Sequence, residues 1–313
     1  MAAWKILITD GLEENGLNIL REAGEVVDRT GIKADELLAI VGEYDAMIVR
    51  GRTKVTAAVF EAAKNMKVVG RAGVGVDNID LNAAKQHNVV VVNSPTATTV
   101  AVAELTMGLM LSLVRAIPRA DPAMKDGKWL KKDLEGAELY QKTLGVIGFG
   151  RIGQAVAKRA SAFDMRIVAF DPLRPTEDVC KADCEPLTLD TLLNEADIIT
   201  IHTPLTENTS CLLSKDEFAK MKDGVYLIDA ARGGVVDEGA LVDALNTGKV
   251  AGAALDVFAT EPPGVTDLVA HPRVVATPHI GAQTVEAQQR AAYDISTEIV
   301  RALQGEELRW RCA

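Results

Sequence analysis

A glycine-rich turn between a buried strand and an amphipathic helix is the feature that most constrains the fold of this chain. The turn carries Gly148, Gly150 and Gly153, and it follows a short apolar run that is typical of a strand. Beyond the turn, apolar residues recur at helical spacing, and the next apolar run ends in Asp171, 18 residues after Gly153. This order of strand, turn, helix and acidic residue predicts a unit that binds a dinucleotide.

Each glycine of the turn has its own physical reason. Gly148 permits the tight turn, Gly150 allows the backbone to approach a pyrophosphate, and Gly153 allows the helix to pack closely on the sheet. The helix N-terminus adds free amides and a partial positive charge. Asp171 could bond both ribose hydroxyls and would repel a 2′-phosphate, which favours NAD over NADP, whereas Arg174 nearby favours the opposite choice.

Short apolar runs alternate with helical patterns along the whole chain. Runs that are apolar on both faces are typical of parallel sheets covered by helices on each side. A break at residues 93–96 divides the runs into two series, so we predict an α/β chain with two doubly wound parallel sheets. The predicted strands are residues 5–9, 46–49, 67–69 and 89–92, then 144–147, 166–170, 198–202, 225–229, 251–255 and 274–277.

Composition limits the partners of the chain. Its 313 residues correspond to about two domains, and 34 Lys and Arg against 44 Asp and Glu give a net charge of −10, which disfavours nucleic-acid binding. The four cysteines lack the spacing of a zinc site, so we expect reduced thiols and no metal. Charged residues near the N-terminus interrupt any export signal, and the apolar run at 105–114 is too short for a membrane span. We therefore expect a cytoplasmic protein.

Polar side chains follow the ends of several predicted strands in the second series. Arg232 lies in a glycine-rich turn, where its planar guanidinium could bind a carboxylate. Glu261 and His279 follow the next two strands, and an imidazole can exchange a proton near neutral pH. Because the carboxyl ends of parallel strands share one edge of a sheet, we expect Glu261 to hold one ring nitrogen of His279 there. His202, after another strand, is expected to line the cofactor pocket.

The motifs around these residues resemble those of the D-2-hydroxyacid dehydrogenases. Within that family the resemblance is greatest to the D-3-phosphoglycerate dehydrogenases, in a short form without a C-terminal regulatory domain, and it covers nearly the whole chain. Besides the glycine turn, the motifs are Val-Arg-Gly-Arg-Thr-Lys-Val-Thr at 49–56, Gly-Arg-Ala-Gly-Val-Gly-Val-Asp-Asn at 70–78, Ala-Arg-Gly-Gly-Val-Val-Asp-Glu at 231–238, Asp-Val-Phe-Ala-Thr-Glu-Pro-Pro at 256–263 and Pro-His-Ile-Gly-Ala at 278–282.

The resemblance implies a role for each site residue. It implies that Arg232 grips the substrate carboxylate and keto oxygen, that His279 transfers the hydroxyl proton, and that Glu261 pairs with His279, while NAD takes the hydride from C2. The implied cofactor-binding residues are Val74 (where relatives commonly carry Thr), Gly148, Gly150, Arg151, Ile152, Gly153, Asp171, Thr203, Pro204, Ala230, Ala231, Arg232, Asp256, His279, Gly281 and Ala282. The implied substrate-binding residues are Arg50, Arg71, Ala72, Gly73, Arg232 and His279, with Lys131 as a further candidate.

The resemblance also implies a domain organisation. Residues 1–97 and 285–313 are expected to form a flavodoxin-like substrate-binding domain, into which a Rossmann NAD-binding domain at 98–284 is inserted. The family further implies an active site in the cleft between the domains. It also implies a homodimer through the NAD-binding domains, with the segment after Val100 in the contact.

The expected activity is NAD-dependent oxidation of D-3-phosphoglycerate to 3-phosphohydroxypyruvate, the first step of serine biosynthesis. Arg50, Arg52, Lys54 and Arg71 follow strands of the first series and favour a phosphorylated substrate. A glyoxylate or hydroxypyruvate reductase, or a D-lactate-type enzyme, would use the same Arg, Glu and His, so these alternatives stay open. An alternative of another class is a non-catalytic NAD sensor that resembles transcriptional corepressors of this fold.

Overall fold

The computed structural model describes residues 4–313 and divides them into two compact units. The first unit comprises the residues up to Thr98 together with Ala282–Ala313, and the second comprises Thr99–Gly281. Residues 1–3 of the predicted first domain lie outside the described residues.

The first unit contains a five-stranded parallel sheet with the order β2-β1-β3-β4-β5. Its central strands are apolar on both faces, and one cluster of buried side chains covers each face. The strands are β1 (Trp4–Ile8), β2 (Gly24–Asp28), β3 (Ala46–Val49), β4 (Val68–Arg71) and β5 (Val90–Asn93). The helices between them are α1 (Glu14–Ala23), α2 (Ala34–Ile40), α3 (Ala57–Ala62) and α4 (Leu81–Gln86).

The second unit contains a seven-stranded parallel sheet with the order β12-β11-β10-β9-β6-β7-β8. The strands are β6 (Thr143–Ile147), β7 (Arg166–Phe170), β8 (Glu185–Pro186), β9 (Ile198–Ile201), β10 (Val225–Asp229), β11 (Val250–Leu255) and β12 (Val274–Ala276). The helices are α5 (Thr99–Val114), α6 (Ile117–Lys125), α7 (Arg151–Ser161), α8 (Thr176–Cys180), α9 (Leu189–Glu195), α10 (Lys215–Lys220) and α11 (Glu238–Thr247).

The two strand orders identify the two architectures. The first sheet has the flavodoxin-like order, and the second has the Rossmann order with one additional strand. In the second sheet the order reverses between β6 and β9, which is where ligands bind in open α/β sheets, at the carboxyl ends of the strands. The prediction of two doubly wound parallel sheets, one inserted into the other, is confirmed.

Helix α5 is apolar on most sides and packs against α7 and β11 inside the second unit. Within residues 4–313 no single helix is long and apolar enough to cross a membrane, and one pair that passes that test jointly, α5 with α6, is bent by 65°.

The last helix, α12 (Val285–Gln304), belongs to the first unit, where it packs against α1 and β4. It begins at Thr284, whose side chain accepts a hydrogen bond from the Ala287 amide, and ends at Gly305 in the left-handed conformation. The stripe that includes Ile295 and Ile299 is fully buried, which explains why a helix with a polar outer face is held on this sheet.

Candidate active site

The turn after β6 is tightly constrained by its neighbours. Gly148 has a φ of 89°, and a Cβ placed on it would lie 2.7 Å from the backbone carbonyl carbon of His202. A Cβ on Gly153 would lie 2.2 Å from the Gly148 carbonyl oxygen. Side chains at these positions would force the helix away from the sheet, so the close packing depends on glycine.

The start of α7 is open where the rest of the turn is crowded. Gly150 is the N-cap residue, and within residues 4–313 no neighbouring heavy atom lies within 4 Å of a Cβ placed there. The amides at Arg151 and Ile152 are in the first turn, where a helix offers donors without intrahelical partners. An open helix N-terminus of this kind fits a pyrophosphate.

Two buried polar atoms next to this turn also indicate a ligand site. In the described part of the chain, His202 Nδ1 and Thr203 Oγ1 are buried without a hydrogen-bond partner. His202 Nε2 lies 2.9 Å from Thr200 Oγ1, and burial lowers the pKa of His202 to about 3, so its ring stays neutral. Unpaired buried polar atoms are costly, and a polar ligand beside Gly148 would offset that cost.

Asp171 connects the turn to the following strand. Its Oδ2 accepts a hydrogen bond from the Phe149 amide (2.9 Å), and its Oδ1 accepts one from the Leu173 amide (3.0 Å). The carboxylate therefore lies beside the glycine turn, where a ribose of a bound dinucleotide would be expected. The glycine turn, the open helix start and this carboxylate together fit NAD.

The imidazole of His279 and the carboxylate of Glu261 form a close pair. His279 Nδ1 lies 2.7 Å from Glu261 Oε2, and both side chains are substantially exposed. Glu261 Oε1 accepts a hydrogen bond from the Phe258 amide (3.1 Å), which orients the carboxylate. With Nδ1 bonded to Glu261, His279 Nε2 is left to exchange a proton with a ligand.

The turn that carries His279 is held by Asp256, which is 1% exposed. Asp256 Oδ1 accepts hydrogen bonds from Thr277 Oγ1 (2.6 Å) and the Ile280 amide (2.8 Å), and its Oδ2 accepts one from the Gly281 amide (2.8 Å). These bonds support His279 in a left-handed conformation, with a φ of 52°, that few residues other than glycine adopt. Asp256 was predicted to contact the cofactor, and its hydrogen bonds here are made to this turn.

The turn that carries Arg232 lies against the segment that carries Glu261. A Cβ on Gly233 would lie 1.8 Å from the Phe258 carbonyl oxygen. Glu238, at the start of α11, accepts a hydrogen bond from the Ala259 amide (2.7 Å). The guanidinium of Arg232 folds over its own turn, with Nη1 donating to the Ala231 carbonyl (2.7 Å). The structure thus brings the Arg232 turn, the Glu261 loop and the His279 turn to one edge of the second sheet.

Sequence reasoning missed two carboxylates of this edge. Asp229, the last residue of β10, accepts a hydrogen bond from the Ala231 amide (2.9 Å), and Glu238 joins α11 to the Glu261 loop. An acid directly before the Arg232 turn is the signal that could have identified Asp229.

The remaining predicted cofactor residues divide between the units. Ala230 is buried after β10, Ala231 and Thr203 are half-buried, and Pro204 is exposed. Gly281 is buried at the end of the second unit. Val74 and Ala282 are half-buried in the first unit, where the Val74 carbonyl accepts a hydrogen bond from Asn93 Nδ2 (2.7 Å).

Arg50 follows β3 at the carboxyl edge of the first sheet. Its amide donates to Asp10 Oδ2 (2.8 Å), and its carbonyl accepts from Asn78 Nδ2 (2.8 Å), so its loop is held from both sides. Burial lowers the pKa of the Arg50 guanidinium. Its buried Nη2 has no hydrogen-bond partner within residues 4–313, a state that an anionic ligand would relieve.

Arg71, at the end of the adjacent strand, lies beside the Arg50 loop. In the parallel pairing of β3 and β4, Arg71 lies opposite Val49, the residue before Arg50. Arg71 Nη1 donates a hydrogen bond to the Ala72 carbonyl (3.0 Å). A Cβ on Gly73 would lie 1.4 Å from Arg71 Nη1, so the guanidinium rests directly over the Gly73 backbone. The first unit therefore places the Arg50 loop beside Arg71, and the buried residues Ala72 and Gly73 follow Arg71 directly in the chain.

The other predicted cations differ from these two. Arg52 donates to the Ile32 and Thr9 carbonyls and pairs with Asp10 at 2.8 Å, so its guanidinium stabilises the loop. Lys54 and Lys131 are exposed, and Lys131 belongs to the second unit.

A family model matches residues 107–281, more than half of the chain, and describes the NAD binding domain of the D-isomer specific 2-hydroxyacid dehydrogenases. The prediction of NAD as cofactor is confirmed by this match.

The chain is 48% identical over 303 residues to D-3-phosphoglycerate dehydrogenase of Methanocaldococcus jannaschii, which covers 96% of this chain and 58% of that protein. It is 47% identical over 309 residues to hydroxypyruvate reductase of Thermotoga maritima, covering 97% of this chain and 99% of that protein. The structure of a glyoxylate reductase from Paecilomyes thermophila is similar at a TM-score of 0.92 and 29% identity, over 100% of this chain and 99% of the other. The chain belongs to the D-isomer specific 2-hydroxyacid dehydrogenase family.

Proposed function

We propose that this protein interconverts a D-2-hydroxy acid and the corresponding 2-keto acid with NAD, and that the hydroxy acid is D-3-phosphoglycerate. The observation that carries the proposal is the 2.7 Å pair of His279 and Glu261 at the edge of the NAD-binding sheet. The adjacent Arg232 turn provides a guanidinium for the substrate carboxylate.

Each residue of this edge has a distinct part in the chemistry. Bound NAD would supply the hydride acceptor. His279 Nε2 takes the hydroxyl proton during oxidation and returns it to the keto oxygen during reduction. Glu261 keeps the proton on Nδ1 and stabilises the imidazolium that forms, while Arg232 orients the acid group.

The choice of a phosphorylated substrate rests on Arg50 and Arg71. Two adjacent arginines at the carboxyl edge of the first sheet, one with a buried unpaired Nη2 among the described residues, suit a dianionic group better than an uncharged one. The similarity to named D-3-phosphoglycerate dehydrogenases supports this assignment. Oxidation would then give 3-phosphohydroxypyruvate, at the entry to serine biosynthesis.

The second candidate is reduction of hydroxypyruvate or glyoxylate. It is favoured by the nearly equal identity, 47%, to a protein named hydroxypyruvate reductase. The same Arg232, Glu261 and His279 would serve it, so the distinction depends on how much the first unit contributes to affinity for a phosphate.

A substrate panel tests the choice. Absorbance of reduced nicotinamide is followed with D-3-phosphoglycerate, D-glycerate and D-lactate in oxidation, and with 3-phosphohydroxypyruvate, hydroxypyruvate and glyoxylate in reduction, each with both forms of the cofactor. We expect kcat/KM to be highest for the phosphorylated pair with NAD. A preference for the unphosphorylated acids would establish the second candidate, and no turnover of any acid would favour a sensor.

Arginine variants locate the phosphate contact. Arg50→Ala should lower kcat/KM for D-3-phosphoglycerate by about 10- to 100-fold more than for D-glycerate, the range expected for a lost charged hydrogen bond. Lys64→Ala removes an exposed cation elsewhere in the first unit and serves as the control. Equal effects of Arg50→Ala on both acids would contradict the phosphate assignment.

We further propose that the two units act as the substrate-binding and NAD-binding domains, and that the protein is a cytoplasmic homodimer. Exposed apolar side chains after α5 support the dimer. They are Ile117, Met124, Trp129 and Tyr140.

A further inference from the structure

We infer that the buried carboxylate of Asp229 is a positioning group that holds the Arg232 turn for substrate binding. The inference rests on the proposed function, in which Arg232 binds the substrate carboxylate. Asp229 would act through the backbone on either side of Ala231 and would not itself touch the substrate.

The hydrogen bonds of Asp229 carry the first step of the argument. The residue ends β10 and is 2% exposed. Its Oδ1 accepts from the Ala231 amide (2.9 Å), and the Arg232 amide donates a second bond to the same carboxylate. An ionised carboxylate offers acceptors to both amides, whereas a neutral amide side chain offers one oxygen.

The guanidinium is coupled to the backbone that these bonds hold. Arg232 Nη1 donates to the Ala231 carbonyl at 2.7 Å, so the side chain rests on its own turn. The charge of Arg232 also favours the ionised form of Asp229. A shift of the Ala231–Arg232 backbone would therefore move the guanidinium as well.

A similar arrangement at the end of the adjacent strand supports the positioning role of Asp229. The Asp256 amide donates to the Asp229 carbonyl (2.8 Å), and the side chain of Asp256 holds the turn of His279. Buried acids at the ends of β10 and β11 thus each support one turn of the candidate active site. The charged groups that act on Asp229 among the described residues are Arg232, which favours ionisation, and Asp256, which opposes it.

Steady-state kinetics at pH 8 test the inference, because burial raises the pKa of Asp229 to about 7 and the carboxylate is mainly ionised there. Asp229→Asn should raise KM for the hydroxy acid by about 10-fold, and Asp229→Ala by more, with smaller changes in kcat. Affinity for NADH, measured by fluorescence, should change less than KM for the hydroxy acid, because most of the predicted cofactor-binding residues lie on other turns. If Asp229 only stabilised the fold, KM would not rise more than kcat falls. In that case Asp229→Ala would also not raise KM more than Asp229→Asn does.

Asp197→Asn is the matched control. Asp197 accepts a hydrogen bond from the Thr143 amide (2.8 Å) at the opposite edge of the same sheet. Its replacement should lower stability without raising KM for the hydroxy acid.

Chemical labelling gives a readout that does not need turnover. The rate at which phenylglyoxal modifies Arg232, followed by mass spectrometry of its peptide, should rise at least threefold in Asp229→Asn and stay unchanged in Asp197→Asn. If the wild-type protein turns over no acid, the proposed function fails, and the labelling rate alone decides the role of Asp229. An unchanged labelling rate, or an unchanged KM in an active variant, would overturn the inference.

Discussion

His279 combines an unusual backbone conformation with a directed side chain. Its φ of 52° costs about 1–3 kcal/mol for a residue of this type, and such strain persists where the surroundings enforce it. Here the Asp256 carboxylate enforces it by accepting hydrogen bonds from the Ile280 and Gly281 amides, and the Glu261 carboxylate orients the ring. Strain supported by a buried acid and directed at an open sheet edge is expected of a catalytic group.

A second single residue, Asp171, should determine which cofactor the protein prefers. Asp171→Ala removes the carboxylate expected at the ribose and the bond to the Phe149 amide, so the Kd for NADH should rise about 10-fold or more while the Kd for NADPH rises less. Fluorescence titration with each cofactor measures both constants. Glu177→Ala, an exposed acid on α8, is the control, and an unchanged NADH preference would remove Asp171 from the ribose site.

Asp229 should make stability depend on pH. Because burial raises its folded-state pKa from 3.8 to about 7, the folded protein binds this proton more tightly than the unfolded chain does, and its contribution to stability is lost as pH rises toward 7. We expect a loss of about 2 kcal/mol in the free energy of unfolding between pH 5 and pH 7, and no such loss from this group in Asp229→Asn.

Denaturant unfolding at the two pH values measures this difference. In Asp197 burial raises the pKa, but hydrogen bonds from Thr143 and Lys222 outweigh it and leave the pKa lowered. Asp197→Asn should therefore keep the wild-type difference between pH 5 and pH 7. A wild-type pH dependence in Asp229→Asn would mean that the carboxyl titrates in its ordinary range.

The candidate site depends on the close approach of two loops that follow neighbouring strands. The Arg232 turn after β10 and the Glu261 loop after β11 meet at Gly233 and Phe258, and the Glu238 carboxylate at the start of α11 joins them through the Ala259 amide. The parallel register of β10 and β11 brings both connections to the same edge.

Gly233→Ala tests this approach. Its Cβ would lie 1.8 Å from the Phe258 carbonyl oxygen, so the two connections must separate. We expect kcat/KM to fall by about 10²-fold or more, because small misplacements of catalytic groups have effects of this size, with a smaller change in NADH affinity. Gly108→Ala in α5, where no neighbouring heavy atom of the described residues lies within 4 Å of the new Cβ, is the control. Equal activity of the two variants would contradict the account.

Elements with a continuous apolar pattern could be predicted from the sequence, and weakly patterned ones could not. The strands at 46–49, 166–170 and 225–229 have the predicted bounds because they are buried on both faces. Strands β2 and β8 were not predicted, since β2 is an edge strand with an acid at two of its five positions and β8 has two residues.

Only part of the candidate site could be predicted from the sequence. Strand ends indicated Arg232, Glu261 and His279 because parallel strands share an edge, whatever the details of the turns. The partners of Asp229, Glu238 and Arg52 depend on turn geometry that spacing does not encode. Arg52 therefore looked like a ligand-binding cation, although its guanidinium is engaged by backbone carbonyls.

In the proposed function, the residues for chemistry and for substrate binding come from both units of the molecule. The first unit provides the adjacent Arg50 and Arg71, and the second provides the glycine turn and the His279 edge. The second unit also exposes apolar side chains of Met124 and Trp129 in the segment after α5, by 55% and 76%. In the proposed homodimer, the partner chain would cover these side chains.

Light scattering should give a mass of about twice the 33.4 kDa of the chain. Trp129→Glu should shift the protein toward the monomer, because it would place a charge in the proposed apolar contact. Leu173→Glu changes a side chain that is 91% exposed elsewhere in the second unit and should leave the mass unchanged. A monomeric wild type at micromolar concentration would contradict the proposed homodimer.

Proton transfer by His279 is tested by comparing the wild type with His279→Ala on D- and L-enantiomers of a 2-hydroxy acid in the presence of NAD. We predict that the wild type reduces NAD with the D-enantiomer and not with the L-enantiomer, and that the variant turns over the D-enantiomer about 10²–10⁴-fold more slowly. A variant with near-normal turnover, or a wild type inactive with every D-2-hydroxy acid of the panel, would contradict the account.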